Sequence, residues 1–442
     1  MSHSLRSSTG AVSLQAGRLP LFTAAAAVIV ATSASAQQDP LLFQRGSVAY
    51  AEFASDVQPF GDLDGDGRDD LLVSAPSSFA GFPGQGHVQI VAGDSGRVLL
   101  TRTDFGSRRT FGHSVASMGD VDGDGTGDFA VGALQRASDP TVDSRVAVYS
   151  GATGDRIWFV GDFTPNERLG FAMDSVGDQN GDGVRDLLVG APAASVAAPF
   201  AGAVLVLSGT DGAVLRRIDG SSEAEQLGTT VSRLDDVNGD GVEDFLVGAP
   251  GSEGTAGSEG GEVRLLSGAN GGLLRRVRGR RAFAGVGTNC DDVGDVDGDG
   301  ISDFLMNSGS SNPNVAFGQI AVVSSATGGV LMTVAAPEGV RLSRRAAGIG
   351  DADGDGRPDI AFGLFEDPGP DGVSRIRVVD AATGDLVFES RNLLRPVGGF
   401  IRVVARAGDG DRDGGADVAC AVPAFSRNAP RAGALLVFGL PR

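Results

Sequence analysis

Residues 119–133 read GDVDGDGTGDFAVGA: four aspartates and four glycines in ten positions, then an abrupt apolar run. At ~5 Å in water each carboxylate pair repels by roughly 0.8 kcal/mol, so the loop carries a few kcal/mol of repulsion that something must offset. A hard divalent cation bound through oxygen would do so. The glycines allow the tight bend that wrapping an ion requires.

The same stretch occurs seven times, with first aspartates at Asp62, Asp120, Asp178, Asp236, Asp295, Asp351 and Asp409, at intervals of 58, 58, 58, 59, 56 and 58 residues. A period near 58 is too long for most helical solenoids and suits four short strands with turns. In the second copy FGHSVASMGD, DFAVGAL, SRVAVYSG and GDRIWFV are short runs rich in Val, Ile, Phe and Ala, separated by Gly, Asp and Ser. No stretch holds a helical period for ten residues. The expected class is all-β: a seven-bladed β-propeller of four-stranded antiparallel blades, spanning residues 37–442. One blade cannot bury its own faces, so the ring must close. The last copy supplies three strands, around FIRVVARAG, DVACAVP and GALLVFGL, while LLFQR (41–45) aligns with RVLLTR (97–102), the fourth strand of the first blade. Residues 41–45 are predicted to complete the seventh blade as an N-terminal velcro strand that removes the open edge.

Each loop follows D-x-[DN]-x-D-G-x-x-D, and positions 1, 3, 5 and 9 supply the candidate metal ligands. These are Asp62, Asp64, Asp66 and Asp70 in the first loop and Asp120, Asp122, Asp124 and Asp128 in the second. The third and fourth offer Asp178, Asn180, Asp182, Asp186 and Asp236, Asn238, Asp240, Asp244. The fifth has Asp295, Asp297, Asp299 and Asp303, and the sixth Asp351, Asp353, Asp355 and Asp359. The seventh has Asp409, Asp411, Asp413 and Asp417. A backbone carbonyl at position 7 adds to each set. Five or six oxygens suit Ca2+, whereas Mg2+ demands a tighter octahedron and zinc or copper would want His or Cys. An EF-hand opens the same way but needs a bidentate Glu at position 12, where this chain has Val73, Val131, Val189, Val247, Met306, Phe362 and Cys420. Plain hairpin turns do not require acids at fixed spacings seven times. Up to seven Ca2+ sites are expected. Asn180 and Asn238 reduce the charge of two, and Arg412, where the other loops have glycine, should make the seventh weakest.

Arg6 and Arg18 flank the start of the chain, LPLFTAAAAVIVA follows, and ASA at 34–36 offers a small-residue cleavage site. Residues 1–36 read as a signal peptide, and the apolar run is short for a membrane span. A secreted or periplasmic protein is expected. Without the leader the formal charge of −20 becomes −22, which argues against nucleic acid as a partner. Twenty-six of the 56 acidic residues are candidate metal ligands, so much of the acidity belongs to the loops. Two cysteines, Cys290 and Cys420, fall in non-neighbouring repeats and are expected to be free buried thiols. Two histidines outside the leader, His87 and His113, and no lysine leave little for a His-based triad or a Schiff base.

An apolar residue stands nine before each first aspartate (Phe53, Phe111, Leu169, Leu227, Val286, Leu342, Phe400), with glycine after it at 112, 170, 228 and 287. VGAP follows the loop at 189–192 and 247–250, and VSAP at 73–76. This order resembles the FG-GAP repeat of the integrin alpha-chain β-propeller and its bacterial relatives, weakening in the last three blades. The resemblance implies calcium between the first and second strands of each blade. It also implies ligand binding on the opposite, upper face, through the loops joining strands two to three and four to one. There lie Phe79, Phe82, Phe200, Phe317 and Phe365, and the arginines Arg108, Arg109, Arg275, Arg276, Arg278, Arg280, Arg281, Arg341, Arg344 and Arg345. An acidic ligand would suit those arginines; surface charge serving solubility is the plain alternative.

The leading expectation is therefore an exported, monomeric, calcium-binding and non-catalytic module that binds an extracellular protein or polysaccharide. A calcium-dependent lyase or hydrolase acting on polysaccharide is the enzymatic alternative, and a structural envelope component the third. One Trp (Trp158) and two Tyr make a poor platform for sugars, and Trp158 lies in a strand pattern that points to the core.

Overall fold

In every repeat the acidic loop leads into a strand with no polar face. Asp70–Ala75, Asp186–Ala191 and Asp244–Ala249 are buried along their whole length. A strand sends alternate side chains to opposite faces, so such a strand must be covered on both. The structure, a computed structural model, describes residues 40, 42–45, 52–76, 86–104, 109–135, 142–164, 166–252, 260–279, 285–308, 318–336, 340–366, 373–390, 401–409, 412, 414–422 and 433–440. The leader expected at 1–36 lies outside the described residues.

The described strands form seven four-stranded antiparallel sheets. Blade 1 runs Val57–Gly61, Asp70–Ala75, His87–Val91 and Val98–Arg102, from the inner to the outer strand. Inner strands of successive blades touch in order, and that of blade 1 touches that of blade 7, so the ring closes. No helix occurs among the described residues. The outer strand of blade 7 is Leu42–Arg45, antiparallel to Ala434–Phe438 with Leu42 opposite Val437 and Arg45 opposite Ala434. This is the velcro strand expected from the sequence.

Seven apolar clusters lie between blades rather than within them. Leu71, Val73 and Ala75 face Val403, Ala419, Ala421 and Val437 of blade 7, while Leu72 of the same strand joins Phe111, Val115, Phe129 and Val131 of blade 2. The alternation of one strand is thus divided between two neighbours.

The motif glycines explain how closely the blades approach. A Cβ on Gly190, in VGAP of blade 3, would lie 2.0 Å from the carbonyl oxygen of Gly228, which follows the apolar residue Leu227 of blade 4. Gly248 meets Gly287 of blade 5 in the same way, at 2.1 Å. The FG and GAP motifs are therefore two halves of one backbone-to-backbone contact.

A second inter-blade contact was not visible in the sequence. The third residue of an outer strand reaches over the next blade to the turn joining its third and fourth strands. Trp158, 8 % exposed, covers Gly212 and donates from Nε1 to the Gly209 carbonyl at 2.5 Å. Arg216 caps the carbonyls of Gly268 and Ala269, and Arg275 those of Ser325 and Ala326. Trp158 is core, as expected, but its role is to join two blades.

Removing residues 40–45 should expose the edge of Ala434–Phe438 and lower the unfolding midpoint far more than trimming an ordinary terminus, with added aggregation. Thermal unfolding with light scattering reads both. Gly190→Ala should cost about 1–3 kcal/mol or more through overpacking, measured by denaturant unfolding.

Candidate metal centre

Each acidic loop joins the inner strand to the second strand, so all seven leave the same rim of the ring. The position-1 aspartate folds the loop around itself. Asp62 Oδ1 accepts from the N–H of Gly65 and Asp66 at 2.7 and 3.0 Å, and Oδ2 from Gly67 at 2.7 Å. Asp120, Asp178, Asp236, Asp295 and Asp351 repeat this pattern. The position-5 aspartate accepts the N–H of position 7, as Asp124 does from Thr126 at 2.8 Å. These bonds offset part of the repulsion between carboxylates and leave oxygen lone pairs free.

Glycine at position 4 has a left-handed backbone, with φ of 75° at Gly65 and 80° at Gly123, Gly181 and Gly354. Arg412 takes the same position in the seventh loop with φ 63°, a conformation costing a non-glycine residue roughly 1–2 kcal/mol. Its guanidinium lies against Gly67 of the first loop.

Five loops bring three carboxylates together, with one oxygen from each within 4.8 Å of the others. The sets are Asp62, Asp64 and Asp66; Asp120, Asp122 and Asp128; Asp236, Asp240 and Asp244; Asp295, Asp297 and Asp299; Asp351, Asp353 and Asp355. The third loop forms no such set among the described residues. There Asn180 Nδ2 donates to Asp182 Oδ2 at 3.0 Å. In the seventh loop Asp411 and Asp413 lie outside the described residues, whereas Asp409 and Asp417 are described.

Position 9 has a structural duty that its place in the motif did not reveal. Asp70 accepts the N–H of Leu63 at 2.8 Å through one oxygen, and that of Gly93, in the turn between the third and fourth strands, at 3.1 Å through the other. Asp128, Asp186, Asp244 and Asp303 do the same. Burial pushes Asp70 and Asp186 up to about 6 and Asp359 to about 7, against the pull of these N–H groups and with the neighbouring loop carboxylates adding to the rise. Asp236, by contrast, is held below the usual carboxylate range by the N–H of Gly241.

The donor set fits a hard cation. It consists of oxygens alone, with three carboxylates drawn in each of five loops from positions 1, 3, 5 and 9, and Asp409 Oδ1 is buried with no partner among the described residues. A buried carboxylate oxygen left bare is costly unless it is neutralised.

Several arginines expected to form a basic face on the opposite rim have partners among the described residues. Arg275 points away to the turn carbonyls of blade 5, and Arg276 and Arg278 pair with buried Glu262 at 3.4 and 3.1 Å. Arg109 pairs with Asp143 at 2.6 Å and Arg345 with Asp56 at 2.5 Å. Strand position aims Arg276 and Arg278 at buried Glu262 and Arg345 at buried Asp56, while the partner of Arg109, Asp143, is partly exposed, pairings that the sequence order did not show. Arg108, Arg280 and Arg281, and the side chain of Arg344, lie outside the described residues, as do Phe79, Phe82 and Phe317. Phe200 is described and is 58 % exposed.

His113 stands at the upper end of an inner strand with its ring 5.1 Å from that of Phe171. Burial, with Arg168, Arg345 and Arg402 around it, lowers it to about 3, so it is neutral at physiological pH. A cavity of about 380 Å³ lies among the inner strands, lined by Asp174, Ser232, Asp291, Asp292 and Arg406 among others. Burial and the charges of Asp174 and Asp292 raise Asp291 to about 7. Asp174 accepts the N–H of Arg233 and Asp291 that of Gly348, so these carboxylates tie the inner strand of blade 3 to that of blade 4 and the inner strand of blade 5 to that of blade 6. Cys290 and Cys420 are free and buried.

A family profile described as the FG-GAP repeat matches residues 59–91, 174–207 and 227–266. The chain carries FG-GAP repeats in these segments. The matched segments fall in blades 1, 3 and 4, whose second strands end in VSAP or VGAP. Integrin alpha-V of Gallus gallus is 30 % identical over 214 residues, 45 % of this chain and 20 % of that protein. Integrin alpha-5 of Xenopus laevis is 29 % identical over 229 residues, 47 % of this chain and 20 % of that protein. Human integrin alpha-IIb is 36 % identical over 100 residues, 21 % of this chain and 9 % of that protein. The chain spans about a fifth or less of the length of these relatives. Among solved structures, BamB from Moraxella catarrhalis aligns with a TM-score of 0.39 at 12 % identity, over 86 % of this chain and 95 % of that one. Likeness at that level carries no functional argument.

Asp70, Asp186 and Asp359 have folded-state values above the ~4 of an unfolded chain. Between pH 4 and about 6–7 the metal-free folded state therefore holds more protons than the unfolded one, and its stability falls as pH rises through that window. In chelator the unfolding midpoint should drop by several degrees from pH 4.5 to 7.5. A flat or rising profile would contradict this electrostatic account.

Proposed function

We propose that this FG-GAP propeller is an exported, calcium-stabilised and non-catalytic module that binds an extracellular protein or polysaccharide on the rim opposite its acidic loops. The ring is proposed to span residues 37–442 behind a leader at 1–36. The observation that carries the reading is the set of five loops on one rim, each converging three carboxylates. Calcium there supplies charge neutralisation and a rigid bend. The loop aspartates at positions 1, 3, 5 and 9, with Asn180 and Asn238, would hold it.

Support for the upper rim as the binding face comes from blades 2 and 3. Val196 and Phe200, 57 % and 58 % exposed, project from the loop between the second and third strands of blade 3. Phe163, 47 % exposed, projects from the segment leading into that blade. The two segments are bonded to each other through Ala193 N–H and the Glu167 carbonyl, at 3.2 Å. The loop is rigid: Phe200 N–H donates to Ser195 Oγ, and its carbonyl accepts from Gln226. Phe200 itself has φ 52°, a strained value for an aromatic residue held at the surface. A rigid, exposed aromatic is the kind of anchor that binding interfaces use. No helix among the described residues is long and apolar enough to cross a membrane.

Calcium titration of chelator-stripped protein, read by calorimetry and by thermal unfolding, tests the reading. Saturable uptake of several ions with a large rise in midpoint is expected. At tenfold excess over Kd each site adds roughly 1.4 kcal/mol, and Mg2+ should give much less. Absence of any calcium effect overturns it. Phe200→Ala should leave calcium uptake and the midpoint unchanged while cutting retention on arrays of extracellular proteins or glycans at least tenfold. Unchanged retention, or none by the native protein, would remove the upper rim from the proposal.

A further inference from the structure

Position 8 of the acidic loop is not a candidate ligand, yet in several blades it reaches the residue just before the first aspartate of the preceding blade's loop. Ser302 Oγ donates to Asp235 at 2.7 Å, linking loops 5 and 4. Asp69 crowds Gly408, linking loops 1 and 7: a Cβ there would come within 2.2 Å of Asp69 Oδ2. Pro358 lies against Gly294, linking loops 6 and 5.

The contact is most developed between loops 4 and 3. Glu243 stands immediately before the ligand position Asp244. Its Oε2 accepts the N–H of Gly177 at 2.7 Å, directly before Asp178, where loop 3 begins. The same oxygen lies 3.3 Å from Arg185 Nη2, directly before Asp186, where loop 3 ends. Its backbone carbonyl accepts from Gln179 Nε2 at 3.0 Å. One carboxylate thus spans both ends of loop 3 while its own backbone leads into the last ligand of loop 4. Gly177 makes room for it, since a Cβ there would sit 2.9 Å from Glu243 Cδ. Loops 1 and 2 have no such link: position 8 of loop 2 is Gly127, without a side chain, and nothing lies within 4 Å of a Cβ built on Gly61.

We infer that Glu243 is a positioning residue that couples loops 3 and 4, so that an ion held by either raises the affinity of the other. The inference rests on the calcium reading above. An ion in loop 4 draws Asp244 inward, and Glu243, one residue away, then holds Gly177 and Arg185 in the spacing loop 3 needs. Coupling is reciprocal, so the order of filling does not matter. Loop 3 has most to gain, because it lacks a three-carboxylate set among the described residues and carries Asn180 in place of an acid.

The test is a Ca2+ titration of chelator-stripped, isotope-labelled full chain, following the amide resonances of Gly183 and Gly241, one in each loop. With loop 3 disabled by Asp182→Ala, the midpoint at Gly241 should move to about fivefold higher Ca2+ or more. In a Glu243→Ala background the same Asp182→Ala change should move it by less than twofold. Glu243→Gln, which keeps an acceptor for Gly177, should restore part of the coupling. Gly177→Ala should abolish it with every ligand intact, and with Glu243→Gln it carries the test if Glu243→Ala does not fold. Asp124→Ala in loop 2 should leave the midpoint at Gly67 of loop 1 unchanged. A Gly241 midpoint indifferent to Asp182→Ala in the native background, or equally shifted without Glu243, overturns the inference alone. If neither glycine responds to 10 mM Ca2+, on the order of ten times the weakest extracellular modules, the calcium reading falls and the inference with it.

Discussion

The structure depends on a constraint at the blade faces: each sheet is apolar on both sides and can bury them only against its two neighbours. Second strands such as Asp186–Ala191 are buried at every position, and the clusters they feed lie between blades. An open row of such sheets would always leave two apolar faces in water. Closure is therefore an energetic requirement, and Leu42–Arg45 meets the remaining need at the edge of Ala434–Phe438. Glycine-to-glycine contacts and the Trp158, Arg216 and Arg275 clasps then set how closely the blades sit.

This constraint also explains why the acidic loops sit together. Every inner strand runs in the same sense relative to the axis, so every connection from inner to second strand leaves by one rim. The loops are built before any ion is considered: the position-1 aspartate gathers three backbone N–H groups and the position-9 aspartate staples the loop to the turn beside it. Like charges are thereby held close in a fixed frame, which favours a cation able to accept several oxygens at once. The other rim carries longer connections, and there exposed Phe200 and Val196 stand on a bonded, rigid loop.

The repeat count, the strand content, the ring and the velcro strand were all legible in the sequence, because each rests on local chemistry repeated at a regular period. Seven acidic loops with glycine at position 6 announce seven turns between strands, and a missing fourth strand in the last copy announces its replacement from the other end. In five loops three of the expected carboxylates lie close to one another. Sequence order failed where partners lie on another strand or in another blade. Arg275, Arg276 and Arg278 read as one basic cluster, yet Arg275 caps a turn of the next blade while Arg276 and Arg278, still partly exposed, pair with buried Glu262 on the adjacent strand.

What the sequence alone determined is the local period: acid, glycine and apolar residues at set spacings specify loop and strand with no need of distant information. Only the tertiary structure decided which of those residues face one another across a blade boundary. Gly190 meets Gly228, Asp174 caps Arg233, and Glu243 holds both ends of the preceding loop. Those pairings depend on how far one sheet is rotated from the next about the axis, a quantity that exists only once all the blades are packed and the ring is closed.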